Sequence, residues 1–308
     1  MIKRKHIPPS FSIILPVSER SSTHFPDSVT SCINQSYTGP YEIIIVANGS
    51  INFYLSLLEN YSELDNVKVI YVEEECVTKA RNKGIETAKN DYIVLQDADD
   101  VSLPNRLSCI EKVARRSIDV IHSDAYVINE TGALLTYLTA KEKTFREVIT
   151  GEKRIINPTV AIKRNSFAKY GAYSNLNVSE DLDLFMRFKN NGATFEYIPK
   201  PLIEYRQNIN QLTLNAKIFD TWKQEFSIYR KNLLNVNLAT YIIKLVTLFM
   251  KLPYRMLRRA VKKRDLKKKP CILILNSVAP SDSIGGASRA VSDVSLYLSK
   301  WYDVFIFC

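Results

Sequence analysis

Glycine is scarce in this chain, nine residues in 308, and where it is missing excludes more than its number does. The first stretch that reads as a strand running into a loop, residues 11–24, contains none. A triphosphate cradle or a dinucleotide fingerprint needs glycines just after a first strand, where backbone amides close on phosphate. Nucleotidyltransferase and dinucleotide oxidoreductase readings are disfavoured on that ground. The five cysteines, Cys32, Cys76, Cys109, Cys271 and Cys308, form no CxxC spacing, which suits reduced thiols in a cytoplasmic setting. The three histidines, His6, His24 and His122, show no ligand pattern, which argues against zinc. Long apolar runs are missing too. The most apolar late stretch, residues 241–252, is broken by Lys244 and Lys251 and falls short of the about 20 residues that span a bilayer. Met1 to His6 leads into prolines and a strand rather than an apolar segment with a cleavage site, so no secretory leader is expected.

The formal charge of +10 would suggest a nucleic-acid partner if it were spread over the chain. It is not. Residues 251–269 hold ten Lys or Arg against the single Asp265, and residues 270–308 are slightly acidic, which leaves about +2 for residues 1–250. The main body is nearly neutral, so no nucleic-acid partner is expected and the basicity is one local device. It follows an amphipathic pattern from about residue 241. A helical, basic amphipathic segment of this kind, here residues 214–269, can lie on an anionic membrane surface, with about 1 kcal/mol per basic residue near the lipid. The same pattern also suits a helix packed on the domain and followed by a solvated linker.

What the sequence does contain is regular alternation. Short apolar runs at 11–16, 41–46, 67–72 and 92–95 read as strands, continuous rather than alternating, as in strands covered on both faces. Between them, residues 25–35, a segment through Leu55, Leu58 and Tyr61, and residues 78–89 carry helical patterns. Four strand and helix alternations predict right-handed βαβ units and a Rossmann-type, mostly parallel sheet with flanking helices. After residue 104 a helix to about 116 is followed by shorter β-like pieces at 118–122, 125–128, 134–138 and 159–162, a helix at 180–190, and pieces at 195–198 and 202–205.

The fourth strand runs directly into Asp97, Asp99 and Asp100. In open α/β sheets ligands sit outside the carboxyl ends of the strands, and crowded carboxylates need compensation. A hard divalent cation carrying a phosphate supplies it. The plainer alternative is a solvated acidic turn ahead of a helix, with Asp100 near its positive end.

Several further motifs stand in a familiar order: residues 11–16 (FSIILP), 31–37 (SCINQSY), 42–46 with Asn48-Gly49-Ser50, 80–84 (ARNKG), Asp97-Ala98-Asp99-Asp100, and Ser179-Glu180-Asp181-Leu182-Asp183. Together they resemble the family 2 inverting glycosyltransferases of the GT-A fold, over about residues 10–213. The resemblance implies Mn2+ or Mg2+ as cofactor, a nucleotide-sugar donor, and a glycan or lipid-linked acceptor in cell-surface polysaccharide synthesis. It implies that Asp99 ligates the metal, that Asp97 is shared between metal and donor ribose, and that Asp181 is the general base, with Glu180 beside it on the acceptor side. Ser179 precedes them as a helix cap. On the donor side it points to Pro16, Ser18, Glu19, Ala47, Asn48 and, toward the diphosphate, Arg81. Family members often carry an aromatic and an Asn where this chain has Ser18 and Glu19, and an Asp that pairs with the nucleobase where it has Ala47. Those departures keep a second reading open, a catalytically degenerate sugar-nucleotide-binding scaffold of a membrane-associated assembly.

Residues 271–275, Gly285-Gly286 with a helical stretch after them, and residues 302–307 form an incomplete βαβ unit. It resembles the opening of a family 4 GT-B glycosyltransferase. The expected organisation is therefore a GT-A domain over 1–213, the basic segment over 214–269 and the start of a second Rossmann-like domain over 270–308. The expected location is cytoplasmic, peripheral on the inner face of the cell membrane.

Overall fold

The computed structural model describes residues 8–50, 58–59, 61–140, 155–176, 178–207, 218–232, 271–275 and 303–307. The described residues up to Asn232 belong to one compact unit, and the strands near the C-terminus belong to a second.

Strand β1 (Phe11–Val17) is the spine of the first unit, buried at every position. It pairs in parallel with β2 (Tyr41–Asn48) on one side and β4 (Tyr92–Leu95) on the other, and β2 pairs in parallel with β3 (Val67–Val72). The apolar runs are continuous because both faces are covered. Phe11, Ile13 and Leu15 of β1 belong to a core with Phe25 and Val29 of helix α1 (Phe25–Ile33) and Leu107 and Ile110 of α3 (Arg106–Ala114). Ile14 faces the other way, with Ala80 and Ile85 of α2 (Val77–Thr87). Of the helix expected through Leu55, Leu58 and Tyr61, the described residues Leu58, Glu59, Tyr61 and Ser62 are helical, and the remainder lies outside the described residues.

Beyond β4 the sheet becomes mixed. Strand β8 (Ala161–Lys163) runs antiparallel to β4 and to β6 (Val120–Ile128); β9 (Phe195–Arg206) runs parallel to β6, and the two-residue β5 (Val101–Ser102) closes the edge antiparallel to β9. Strand β7 (Leu134–Leu138) forms a hairpin with β6. The pieces read separately at 118–122 and 125–128 are one strand, as are those at 195–198 and 202–205. The breaks in their patterns are register shifts around Asp124, which lies opposite Pro201. A proline lacks the ladder donor and is tolerated at such an irregularity.

Two more helices, α4 (Arg164–Tyr170) and α5 (Glu180–Asn190), bury Phe167, Leu184 and Phe188 in the second core. Helix α6 (Ile218–Asn232) packs on α5, with Asn190 Nδ2 donating to Asn232 O at 2.6 Å. In the second unit, β10 (Cys271–Leu275) and β11 (Asp303–Phe307) pair in parallel, as a βαβ unit requires. The expected helix between them and the Gly285-Gly286 loop lie outside the described residues, as does the basic segment apart from α6, together with the domain limits expected there.

Candidate active site

The carboxyl ends of β1, β2 and β4 lie side by side, and the acidic turn leaves β4 at this edge. Its shape is held from beneath by Arg106, one of the largest fully buried side chains. Arg106 donates to Gln96 Oε1 at 2.8 Å, Leu95 O at 2.8 Å, Ser102 Oγ at 2.9 Å and Pro158 O at 2.6 Å. Burial pulls its guanidinium down to about 10 while Cys32, Asp100 and Asp97 support its charge. The same burial pushes the Cys32 thiol up to about 12, so that cysteine is inert. Gln96 and Ser28 complete the frame, Gln96 Nε2 donating to Asp100 O at 2.8 Å and Ser28 Oγ to Asp97 O at 2.9 Å.

The three carboxylates of the turn have distinct surroundings. Asp97 accepts a hydrogen bond from Arg81 at 2.8 Å and keeps 28% of its side chain exposed. Asp99 is pushed up to about 6, first by burial and then by the charge of Asp97. Asp100 is fully buried and raised well above the usual carboxylate range, by burial and then by Asp99 and Asp97. One of its oxygens accepts from the Arg206 backbone N–H at 2.7 Å and the other has no hydrogen-bond partner. Asp100 does not begin a helix as the plainer sequence reading had it: β5 intervenes, and α3 starts only at Arg106, not at 104.

Arg81 joins two distant parts of the chain. From α2 its two terminal nitrogens reach Asp97 and Glu180, each at 2.8 Å, and its guanidinium lies 5.5 Å from the ring centroid of Tyr173. Burial opposes its charge, but Asp97, Tyr173 and Glu180 together hold it protonated, above the usual arginine range. Both ends of this fork face carboxylates, so in this arrangement Arg81 braces the acids rather than standing open to a diphosphate.

Glu180 and Asp181 open α5, where first-turn acids favour the positive end of the helix dipole. Asp181 Oδ1 accepts the N–H of Leu182 at 2.8 Å. The cap expected of Ser179 is not made. That residue occupies the N-cap position in a left-handed conformation, and its hydroxyl donates to Glu225 Oε1 at 3.3 Å instead. Asp183, the last acid of the motif, is 2% exposed and held low by Ser174 and Arg187 against the effect of burial, a structural role.

On the donor side, Pro16 lies within β1 opposite Val46. Ser18 and Ser21 close a turn, Ser21 Oγ accepting from the Ser18 backbone N–H at 3.0 Å, and Glu19 begins a short 3-10 helix to His24. Ala47 is buried in the core at 1% exposure. Asn48 Nδ2 donates to Val17 O at 2.9 Å and so ties the ends of β2 and β1 together. Beside them a cavity of about 530 Å³ is lined by Gly49, Ser50, Tyr71, Val72 and Glu73.

Sequence reasoning missed Arg206. This residue, 3% exposed at the end of β9, donates through Nε to Asp99 O at 2.8 Å and through one terminal nitrogen to Asn129 O and Glu130 O, each at 3.1 Å. It clamps the acidic turn to the turn after β6. The available signal was a single arginine closing an apolar strand pattern, too common to single out.

The sequence profile described as Glycosyl transferase family 2 matches residues 12–171, just over half of the chain and including the acidic turn. The chain belongs to glycosyl transferase family 2. Similar proteins include the O-antigen biosynthesis glycosyltransferase WbnJ of Escherichia coli, 26% identical over 82% of this chain and 96% of its own length. Another from Escherichia coli, UDP-Gal:alpha-D-GlcNAc-diphosphoundecaprenol beta-1,3-galactosyltransferase, is 22% identical over 84% of this chain and 98% of its own. The crystal structure of S. aureus TarS 1-349 in complex with UDP-GlcNAc superposes with a TM-score of 0.61 at 18% identity, covering 78% of this chain and 71% of that one. That likeness establishes the GT-A fold. The family 2 profile stops at residue 171, and the resemblance of residues 271–307 to family 4 receives no support. The protein is thus a family 2 glycosyltransferase. Among the described residues no helix is long and apolar enough to cross a membrane.

Proposed function

We propose that the enzyme moves a sugar from a nucleotide-sugar donor to a glycan or lipid-linked acceptor, with inversion, in the synthesis of a cell-surface polysaccharide. The observation that carries this reading is the Arg81 bridge, which gathers the acidic turn after β4 and the acid pair at the head of α5 into one site although Arg81 and Glu180 are 99 residues apart. The acceptor class follows the two Escherichia coli relatives, one named for O-antigen biosynthesis and one for a diphosphoundecaprenol-linked sugar.

In this reading Asp181 takes the proton of the acceptor hydroxyl as its oxygen attacks the anomeric carbon from the face opposite the departing nucleoside diphosphate. Asp97 and Asp99 would hold Mn2+ or Mg2+. Among the described residues no group of three or more His, Cys, Asp or Glu could hold a metal, so a cation at Asp97 and Asp99 would need substrate oxygens to complete its coordination. The raised Asp99 carboxyl points the same way, since a cation there would relieve two crowded acids. When bound, the metal neutralises charge on the leaving diphosphate. A diphosphate departs without protonation, so one base suffices, and no second catalytic acid is needed. Asp97 also meets the donor ribose, Glu180 borders the acceptor while fixing Arg81, and the ends of β1 and β2 at Pro16, Ser18, Glu19, Ala47 and Asn48 border the nucleotide. With no carboxylate at Ala47, base recognition relies on neighbouring groups.

Calorimetry with UDP, with and without Mn2+, tests the donor half of this proposal. Binding that appears or strengthens at least tenfold with Mn2+ is expected. Binding indifferent to Mn2+ would contradict it.

A further inference from the structure

Ser179 sits directly before the acid pair with φ 56° and ψ 27°. Among the described residues only one other non-glycine, Ser117, has a positive φ. A residue with a side chain adopts this conformation at a cost, and it persists where the surroundings over-determine it. At Ser179 the surroundings include a carboxylate. The serine is 9% exposed, and its hydroxyl donates 3.3 Å to Glu225, which is itself 1% exposed on α6. A serine at the head of a helix ordinarily turns its hydroxyl onto the helix's own N–H groups; here it turns away, toward a neighbouring helix. Helix α6 also holds the far end of α5 through Asn190 and Asn232, so it grips α5 at both ends.

We infer that Glu225 is a positioning residue for sugar transfer. Through Ser179 it fixes the backbone from which Glu180 reaches Arg81 and Asp181 reaches the acceptor. The inference rests on the assignment of Asp181 as base, and it gives a role to a helix that lies beyond the residues matched by the family. A base displaced by about 1 Å can lose on the order of a hundredfold in rate without any change in donor binding.

The test uses the full chain carrying Glu225→Ala, Glu225→Gln, Ser179→Ala or Ser179→Gly, with two readouts: amide hydrogen exchange, and transfer kinetics beside donor affinity. In Glu225→Ala, amides of residues 180–184 should exchange roughly tenfold faster while those of β1 stay as in wild type. Its kcat should fall by roughly 10 to 100-fold with donor Kd changed by no more than about twofold. Glu225→Gln keeps a carbonyl that accepts the hydroxyl and should stay within about threefold of wild-type kcat. Ser179→Gly adopts the positive φ freely and should retain more kcat than Ser179→Ala.

Unchanged exchange at 180–184, unchanged kcat, or faster exchange spread through β1 in Glu225→Ala would each overturn the inference. If Glu225→Ala behaves as expected while Asp181→Asn transfers sugar like wild type, the assignment of the base fails and the positioning of α5 by Glu225 stands.

Discussion

At Asp99 the proposed metal-binding role would work against stability. Its carboxyl is raised from 3.8 to about 6, so the folded protein keeps a proton that the unfolded chain releases between those values. Stability is therefore lost as pH rises from about 4 through about 6, and the loss is complete above that. Asp99→Asn should stabilise the metal-free protein at pH 7.5 by up to about 3 kcal/mol and add nothing below pH 4. Urea denaturation at the two pH values checks this, and an equal effect at both would contradict it. Arg81 behaves in the opposite way. Truncation to Ala leaves Asp97 and Glu180 without their shared cation and should cost about 2–3 kcal/mol, less than a fully buried pair because Asp97 is 28% exposed. Lysine should recover little of this, since a single ammonium cannot fork to two carboxylates. Thermal denaturation of the two variants beside wild type is the measurement.

At the scale of elements, the packing of α2 on β1 turns on Gly84. A Cβ built there would lie 2.4 Å from Ile14 Cγ2. Alanine is normally the better helix former by about 1 kcal/mol, but overpacking at this contact should win, so Gly84→Ala should destabilise by about 1–3 kcal/mol. A higher melting temperature in that variant would refute the contact. The parallel half of the sheet was legible in the sequence because strands buried on both faces leave unbroken apolar runs such as residues 43–46. The mixed half was less so. Asp124 and Pro201 interrupt the patterns of β6 and β9 within single strands, and β5 is too short to leave a pattern. In the site, the acidic turn and the Glu180-Asp181 pair could be read as local motifs. Arg206, whose backbone meets Asp100 across 106 residues, and the turn of Ser179 toward Glu225 could not, because both depend on partners remote in sequence.

For the whole molecule, the charge distribution separates a nearly neutral catalytic body from one basic stretch at residues 251–269. If that stretch holds the enzyme at the inner membrane face, flotation with anionic vesicles should recover the protein, neutral vesicles should not, and raising salt should release it. Equal behaviour on both vesicle types would separate the activity from the membrane. If one site joins a donor-binding acidic turn to a base at Asp181, as proposed, the two functions are separable. In Asp181→Asn, sugar transfer should fall by at least about 10³-fold while calorimetry in Mn2+ finds nucleotide affinity within about twofold of wild type; wild-type turnover in that variant would remove Asp181 from the mechanism.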